Sequence, residues 1–140
     1  MATKFDDLII WQKARELTNS IYMMMEGFRD WGFKDQIQRA SVSIMNNIAE
    51  GFDSGSNTRF CYFLNVAKGS CSEVRSMLFL CEDLKICNEE ERIRLQSITK
   101  QINTGIVKMI SHLKTTPPLN PITNQPNNPE TQQLSNTVTQ

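Results

Sequence analysis

The side chains that most often carry catalysis are few in this 140-residue sequence. His112 is the only histidine, and its neighbour Ser111 would point in another direction on a helix, whereas a nucleophile needs a positioned base. The cysteines lack the close spacing of a zinc or redox site, so we expect reduced thiols at Cys61, Cys71, Cys81 and Cys87. Neither Glu-x-x-His pairs nor a phosphate-binding loop occur. We therefore predict that the protein is not an enzyme and has no catalytic, metal-binding or cofactor-binding residues.

A stripe of polar residues runs along the predicted second helix and is the most distinctive pattern in the chain. On a helical wheel these residues span about 100°. They are Gln36, Arg39, Ser43, Asn46, Asn47 and Glu50. Two interpretations stay open, because spacing does not separate them. The stripe is either a solvated face with local or intersubunit hydrogen bonds, or a strip that recognises a partner or ligand.

The rest of this helix is almost entirely apolar or small, over an arc of roughly 200°, about twice what a surface helix needs. One flank consists of Ile37, Ala40, Ile44 and Ile48. The other flank consists of Val42, Met45, Ala49 and Phe52. One flank must face the core, and the sequence leaves open which. We assign the second flank to a candidate oligomer interface, since extended exposed apolar surface usually marks an interaction site.

Four amphipathic helices are predicted to position these residues. Apolar residues recur at alternating spacings of four and three, which is typical of one buried stripe per helix. The predicted helices cover about residues 6–27, 34–51, a segment from the loop at 53–57 to about 85, and 88–114. The connections are short and no segment alternates as a strand would, so we predict an all-α, up-and-down antiparallel four-helix bundle.

The composition changes abruptly at residue 115. All five prolines of the chain follow it, among asparagine, glutamine and threonine. Such a segment buries too little apolar surface to offset its ordering entropy. We therefore predict a bundle domain at residues 1–114 and a disordered tail at residues 115–140.

The charges are balanced, with 15 basic and 15 acidic residues. This balance removes the commonest sequence argument for nucleic-acid binding, although oligomerisation could multiply small basic groups. The candidates for nucleic-acid contacts are Lys13, Arg15, Lys68 and Arg75. With no signal peptide and no long apolar run, we expect a cytoplasmic protein without a membrane partner.

Three segments resemble one known family. The run from Gln36 to Gly51 reads QIQRASVSIMNNIAEG, and it is accompanied by FDDL with WQKA at residues 5–14 and by FLNVAKGS at residues 63–70. These segments resemble the bacterial four-helix bundle proteins encoded in intervening sequences of 23S rRNA genes. The accessory variability protein of diversity-generating retroelements is a relative of that family.

The resemblance implies a homopentamer of bundles that forms a barrel, and it supplies no catalytic residues. For the retroelement relatives it also implies binding to a reverse transcriptase and to nucleic acid. Two positions depart from the family pattern: Gln38-Arg39 replaces a basic pair, and Met45 stands where proline is common. The missing proline predicts a less kinked second helix.

Together these observations predict a non-enzymatic, homo-oligomeric helical bundle that acts as an interaction or scaffold module. The alternative is a nucleic-acid-binding accessory protein, associated with rRNA or with a retroelement reverse transcriptase. Binding to RNA or DNA that weakens steeply as the salt concentration rises would support the alternative, since phosphate contacts release counterions.

Overall fold

The computed structural model describes residues 2–115 and contains four α-helices preceded by a single 3-10 turn at Phe5–Asp7. The helices are α1 (Ile9–Met24), α2 (Trp31–Asp53), α3 (Asn57–Asp83) and α4 (Glu89–Thr115). The prediction of an all-α bundle is confirmed. The predicted tail lies outside the described residues, apart from Thr115, which ends α4.

The helices occupy the corners of a square in chain order. Among the described residues, α1 packs against α2 and α4, and α3 packs against the same two helices, whereas no Cα atoms of the diagonal pairs come within 8 Å of each other. Because the connections between successive helices are short, each helix runs antiparallel to the next. The topology is therefore up-and-down, as predicted.

Polar side chains cap the starts of three helices. Asp30 accepts a hydrogen bond from the Phe33 amide at 3.1 Å, and Asn88 accepts one from the Glu91 amide at 2.8 Å. Ser56 caps α3 in the same way. The Asp30 cap corrects one predicted boundary: α2 begins at Trp31, three residues before the predicted start, and includes residues that the sequence pattern placed in a loop.

The core is one cluster of mainly aliphatic side chains that extends along the bundle axis. Its largest fully buried members include Leu17, Ile44, Leu64, Leu78 and Ile102, with each of the four helices contributing. Buried hydroxyls are hydrogen-bonded, as when Thr18 Oγ1 donates to the Ala14 carbonyl at 2.8 Å. No buried side-chain nitrogen or oxygen of the described residues lacks a partner.

Lys85 ends α3 in a left-handed conformation, with φ of 60°. The amides of Ile86 and Lys85 donate to the carbonyls of Cys81 and Glu82 at 2.8 and 3.0 Å, which is the Schellman arrangement. Glycine usually occupies this position because it has no Cβ to clash with the backbone.

We expect Lys85→Gly to raise the free energy of unfolding by up to about 1 kcal/mol, because it removes the strain of a left-handed L-residue. Chemical denaturation at fixed protein concentration measures the change. The control is Lys108→Gly, an exposed position inside α4, which should lower stability by about 1 kcal/mol. A loss of stability in Lys85→Gly would contradict the left-handed conformation of this residue.

Gly105 permits the close approach of α4 to α1. A Cβ at this position would overlap Cγ2 of Ile10, a core residue that is itself confined by its branched side chain.

We expect Gly105→Ala to lower the free energy of unfolding by about 1–3 kcal/mol through overpacking, despite the better helix propensity of alanine. Thermal or denaturant unfolding tests this. Ser97→Ala, at an exposed position of the same helix, should be neutral or slightly stabilising. A gain in stability for Gly105→Ala would mean that the two helices move apart at little cost.

Candidate interaction surfaces

The structure resolves which flank of α2 faces the core. Ile37, Ile44 and Ile48 are completely buried, and Ala40 is nearly so. The predicted interface flank is half-buried at all four positions, namely Val42, Met45, Ala49 and Phe52.

The four residues of the predicted interface are not equivalent. Met45 and Phe52 pack against the core, and the Phe52 ring lies 5.9 Å from that of Phe60 in an edge-on arrangement. Val42 and Ala49 do not belong to the core cluster. The outward-facing part of this flank therefore centres on Val42 and Ala49.

The polar stripe divides into two parts, which the sequence pattern did not separate. Three members bond along the seam between α2 and α3. Gln36 Nε2 donates to Glu73 Oε1 at 3.1 Å, the hydroxyls of Ser43 and Ser70 are 2.9 Å apart, and Asn47 Nδ2 donates to the Ser43 carbonyl at 2.7 Å. The first two bonds join α2 to α3, whereas the Asn47 bond lies within α2.

The other three members of the stripe are exposed. Arg39 pairs with Asp35 one turn earlier at 2.9 Å, on the open surface. Asn46 and Glu50 line a shallow depression together with Ala49 and Asp53. Glu50 and Asp53 stand near the C-terminal end of α2, where the helix dipole disfavours negative charge. Gln36 is exposed as well, so it and these three residues are the members of the stripe that a partner can reach.

The four candidate nucleic-acid contacts do not form one group. Lys13 and Arg15 lie on α1, Lys68 and Arg75 lie on α3, and these helices are diagonal in the bundle. Arg15 is placed 5.8 Å from the ring of Trp11. The structure therefore separates the α1 pair from the α3 pair.

The α3 pair lies beside the seam with α4. Gln96 Nε2 donates to the Arg75 carbonyl at 3.0 Å, and Cys71 Sγ donates to the Thr99 carbonyl at 3.1 Å. Lys100, which follows Thr99, is exposed there as well. The sequence pattern missed Lys100. Lys100 could have been identified from the stretch between Arg92 and Thr115, which contains five arginines and lysines and no acidic residue.

The cysteines are free thiols, in agreement with the sequence prediction. Burial raises the pKa of the Cys71 thiol to about 11, with the nearby Arg75 guanidinium opposing the shift. Burial raises the pKa of Cys81 to about 12. Thiols held in the protonated form are poor nucleophiles.

Exposed apolar residues on α3 were also missed. Tyr62, Val66 and Leu80 are 65%, 37% and 43% exposed, and they lie off the buried stripe of the same helix. Their spacing could have revealed a shared face of the helix. Five residues fall within about 60° on a helical wheel, namely Tyr62, Val66, Gly69, Glu73 and Leu80.

These features define a small all-helical bundle with surfaces suited to interaction. Within residues 2–115, no cluster of side chains could hold a metal ion, and no helix could cross a bilayer. The sequence profile of the family described as "23S rRNA-intervening sequence protein" matches residues 6–109. The chain therefore belongs to this family, and the predicted family membership is confirmed. No curated protein matches the chain.

Among solved structures, the chain is similar to a protein of unknown function from the S23 ribosomal protein family of Bacteroides thetaiotaomicron VPI-5482. The TM-score is 0.66 and the sequence identity 22%, over 73% of this chain and 98% of the other. At this identity the likeness supports the four-helix fold. The link to retroelement accessory proteins stays a prediction.

Proposed function

We propose that the protein is a non-enzymatic, cytoplasmic scaffold that assembles from identical copies, with five copies as the expected number. One observation carries the proposal. One flank of α2 is already buried in the core, and it consists of Ile37, Ala40, Ile44 and Ile48. Val42 and Ala49 continue the apolar surface of the helix outside the core. A second copy would cover this surface and remove it from water.

Size-exclusion chromatography with light scattering on the untagged chain tests the proposal. We expect a mass near five times the 16.1-kDa chain. Recording absorbance at protein and nucleic-acid wavelengths shows whether nucleic acid accompanies the peak. A monomeric mass at all concentrations would overturn the scaffold proposal.

A second candidate function is binding to nucleic acid, and the seam between α3 and α4 favours it. Three basic residues flank the Cys71–Thr99 hydrogen bond, namely Lys68, Arg75 and Lys100. None of them pairs with a carboxylate within residues 2–115. Gln96 and Asn103 are seven residues apart and therefore lie on the same side of α4. Unpaired cations with neighbouring hydrogen-bond donors suit a phosphodiester backbone.

We expect a labelled single-stranded RNA to bind at low salt and to lose affinity as salt rises, in a fluorescence anisotropy titration. The variant Lys68→Gln/Arg75→Gln/Lys100→Gln should reduce the slope of log affinity against log salt by about 2, since each single-strand phosphate contact contributes about 0.7.

The matched control removes three cations elsewhere, in Lys4→Gln/Lys13→Gln/Arg29→Gln. It should bind nearly as well as the wild type. Equal weakening in both triple variants would show that the seam is not the site. Absence of binding by the wild type at low salt would remove this candidate function.

A further inference from the structure

A groove at one end of the bundle is separate from the surfaces described above. It is open to solvent, has a volume of about 720 Å³, and lies between the C-terminal end of α1 and the turn that connects α3 to α4. Met23 and Met24 line it from α1, and Ile86 and Cys87 line it from the turn. The groove therefore belongs to the side of the square formed by α1 and α4, and not to the predicted interface flank of α2.

The floor of the groove is the edge of the hydrophobic core. Met24, Ile86 and Cys87 are half-buried and pack against the core cluster. The left-handed residue Lys85 turns the chain so that the Ile86 amide returns to the Cys81 carbonyl at 2.8 Å, which holds the turn against the end of the bundle. The groove is thus built on packed residues, and an apolar group that enters it would extend the core.

Met23 forms the wall of the groove. Its side chain is 75% exposed, more than any other large apolar side chain within residues 2–115. Arg94 Nη2 donates to Ser20 Oγ at 3.3 Å, which holds α4 beside α1 about one turn before Met23. Methionine is unbranched and adapts to groups of different shape, and surfaces rich in methionine bind helices of other proteins. Met23 can therefore close over an apolar group held against the floor.

The rim of the groove is negative. Glu90 and Glu91 line it from the first turn of α4, and Arg94 donates to both oxygens of Glu91 at 3.0 and 2.9 Å. The Glu91 hydrogen bond, and more weakly the charge of Glu16 on α1, raise the pKa of the Arg94 guanidinium, so a third carboxylate lies close by. Glu90 pairs with no cation within residues 2–115. Three carboxylates against one guanidinium leave two negative charges in excess.

We propose that this groove binds a basic amphipathic helix of another protein. An apolar side chain of that helix enters against the two methionines, and its lysines or arginines face Glu16 and Glu90. Amphipathic helices bind in this way to apolar grooves of other helical proteins, and opposite charge across the contact selects a basic one. The proposal goes beyond the self-association and does not depend on it.

The charge of the groove disfavours two other occupants. Nucleic acid would bring its phosphates against the carboxylates, so this groove is distinct from the basic seam between α3 and α4. The chain's own C-terminal segment, residues 116–140, contains neither lysine nor arginine and therefore lacks the cations that the rim requires.

A fluorescence anisotropy titration with a synthetic helix tests the proposal. The probe is a labelled amphipathic peptide of leucine and lysine, with all leucines on one face, and the wild-type protein should bind it at low salt. Two control peptides should bind at least about tenfold more weakly, one with the leucines spread around the helix and one with glutamate in place of lysine. The proposal fails if the probe does not bind, or if either control peptide binds equally well.

Met23→Lys should weaken binding of the probe at least about tenfold, because it removes the wall of the groove and adds a charge of the same sign as the probe. Ile9→Lys is the matched control, since Ile9 is 67% exposed at the other end of α1 and the variant adds the same charge. It should bind as the wild type does, and circular dichroism checks that both variants are helical. Equal affinities of the two variants would place the binding site elsewhere.

A second pair of variants tests the rim. Glu89 and Glu90 are both exposed in the first turn of α4, where each interacts favourably with the helix dipole, but only Glu90 lines the groove. Glu90→Gln should weaken binding of the probe about threefold, and Glu89→Gln should leave it nearly unchanged. The same loss in both variants would mean that the probe senses only the general charge of this end.

Light scattering separates this proposal from the self-association. A monomeric wild type that binds the probe would reject the scaffold and support the groove. If Met23→Lys instead lowers the mass of the wild-type assembly, a second copy of the chain occupies the groove, and the proposal of a helix from another protein is wrong.

Discussion

Replacing Met45 by glutamate is expected to disperse the assembly into monomers and also to weaken the monomer itself. Met45 is half-buried between the proposed interface and the core, and it packs against the core cluster. A carboxylate there must either stay hydrated, which opens the copy-to-copy contact, or lose its water at a high cost. We estimate a loss of about 1–3 kcal/mol in protomer stability.

Ala49→Glu is the control for this change, because Ala49 lies outside the core cluster. Light scattering should show that both variants are monomeric, while chemical denaturation should show a stability loss beyond that from disassembly only in Met45→Glu. A fully assembled Met45→Glu would place the interface on another face. Equal stability of the two variants would mean that Met45 contributes little to the core edge.

The largest loss of folding stability is expected one residue earlier, for Ile44→Ala. Ile44 is completely buried, and truncation removes apolar contact and leaves a cavity. The free energy of unfolding should fall by about 2–5 kcal/mol. Because assembly stabilises the folded chain by mass action, the measurement is made at one protein concentration or in the monomeric Ala49→Glu background.

Ile93→Ala is the matched control, since Ile93 is exposed on α4. The same truncation there should change stability by no more than about 0.5 kcal/mol. Similar losses at the two isoleucines would contradict the core position of Ile44. Two adjacent residues of α2 are therefore expected to have different roles. Ile44 supports folding, whereas Met45 supports both folding and assembly.

The periodicity of the sequence was sufficient to predict the four helices and most of the core, because burial in a bundle follows helical spacing. It did not determine the core-facing side of α2. Both flanks are apolar, and only the positions of α1 and α3 distinguish Ile44 from Met45. The start of α2 was misplaced because Trp31 and Gly32 look like loop residues unless the Asp30 cap is weighed.

The surfaces were harder to predict because they depend on which helices are neighbours. Ser43 and Ser70 are 27 residues apart, and nothing in the sequence near either one indicates their hydrogen bond. The separation of Arg15 from Arg75 follows from the diagonal placement of α1 and α3. Lys100 could have been found from the acid-free stretch that contains it.

The square order of the helices has a consequence for avidity. The flank of α2 with Val42 and Ala49 lies towards α1, on the opposite side of the square from the seam between α3 and α4, so a copy-to-copy contact through that flank would leave the seam uncovered. Each copy would present Lys68, Arg75 and Lys100 to the solvent. A strand long enough to reach several copies would then be held at high effective concentration after its first contact, whereas a short oligonucleotide would gain only one weak site.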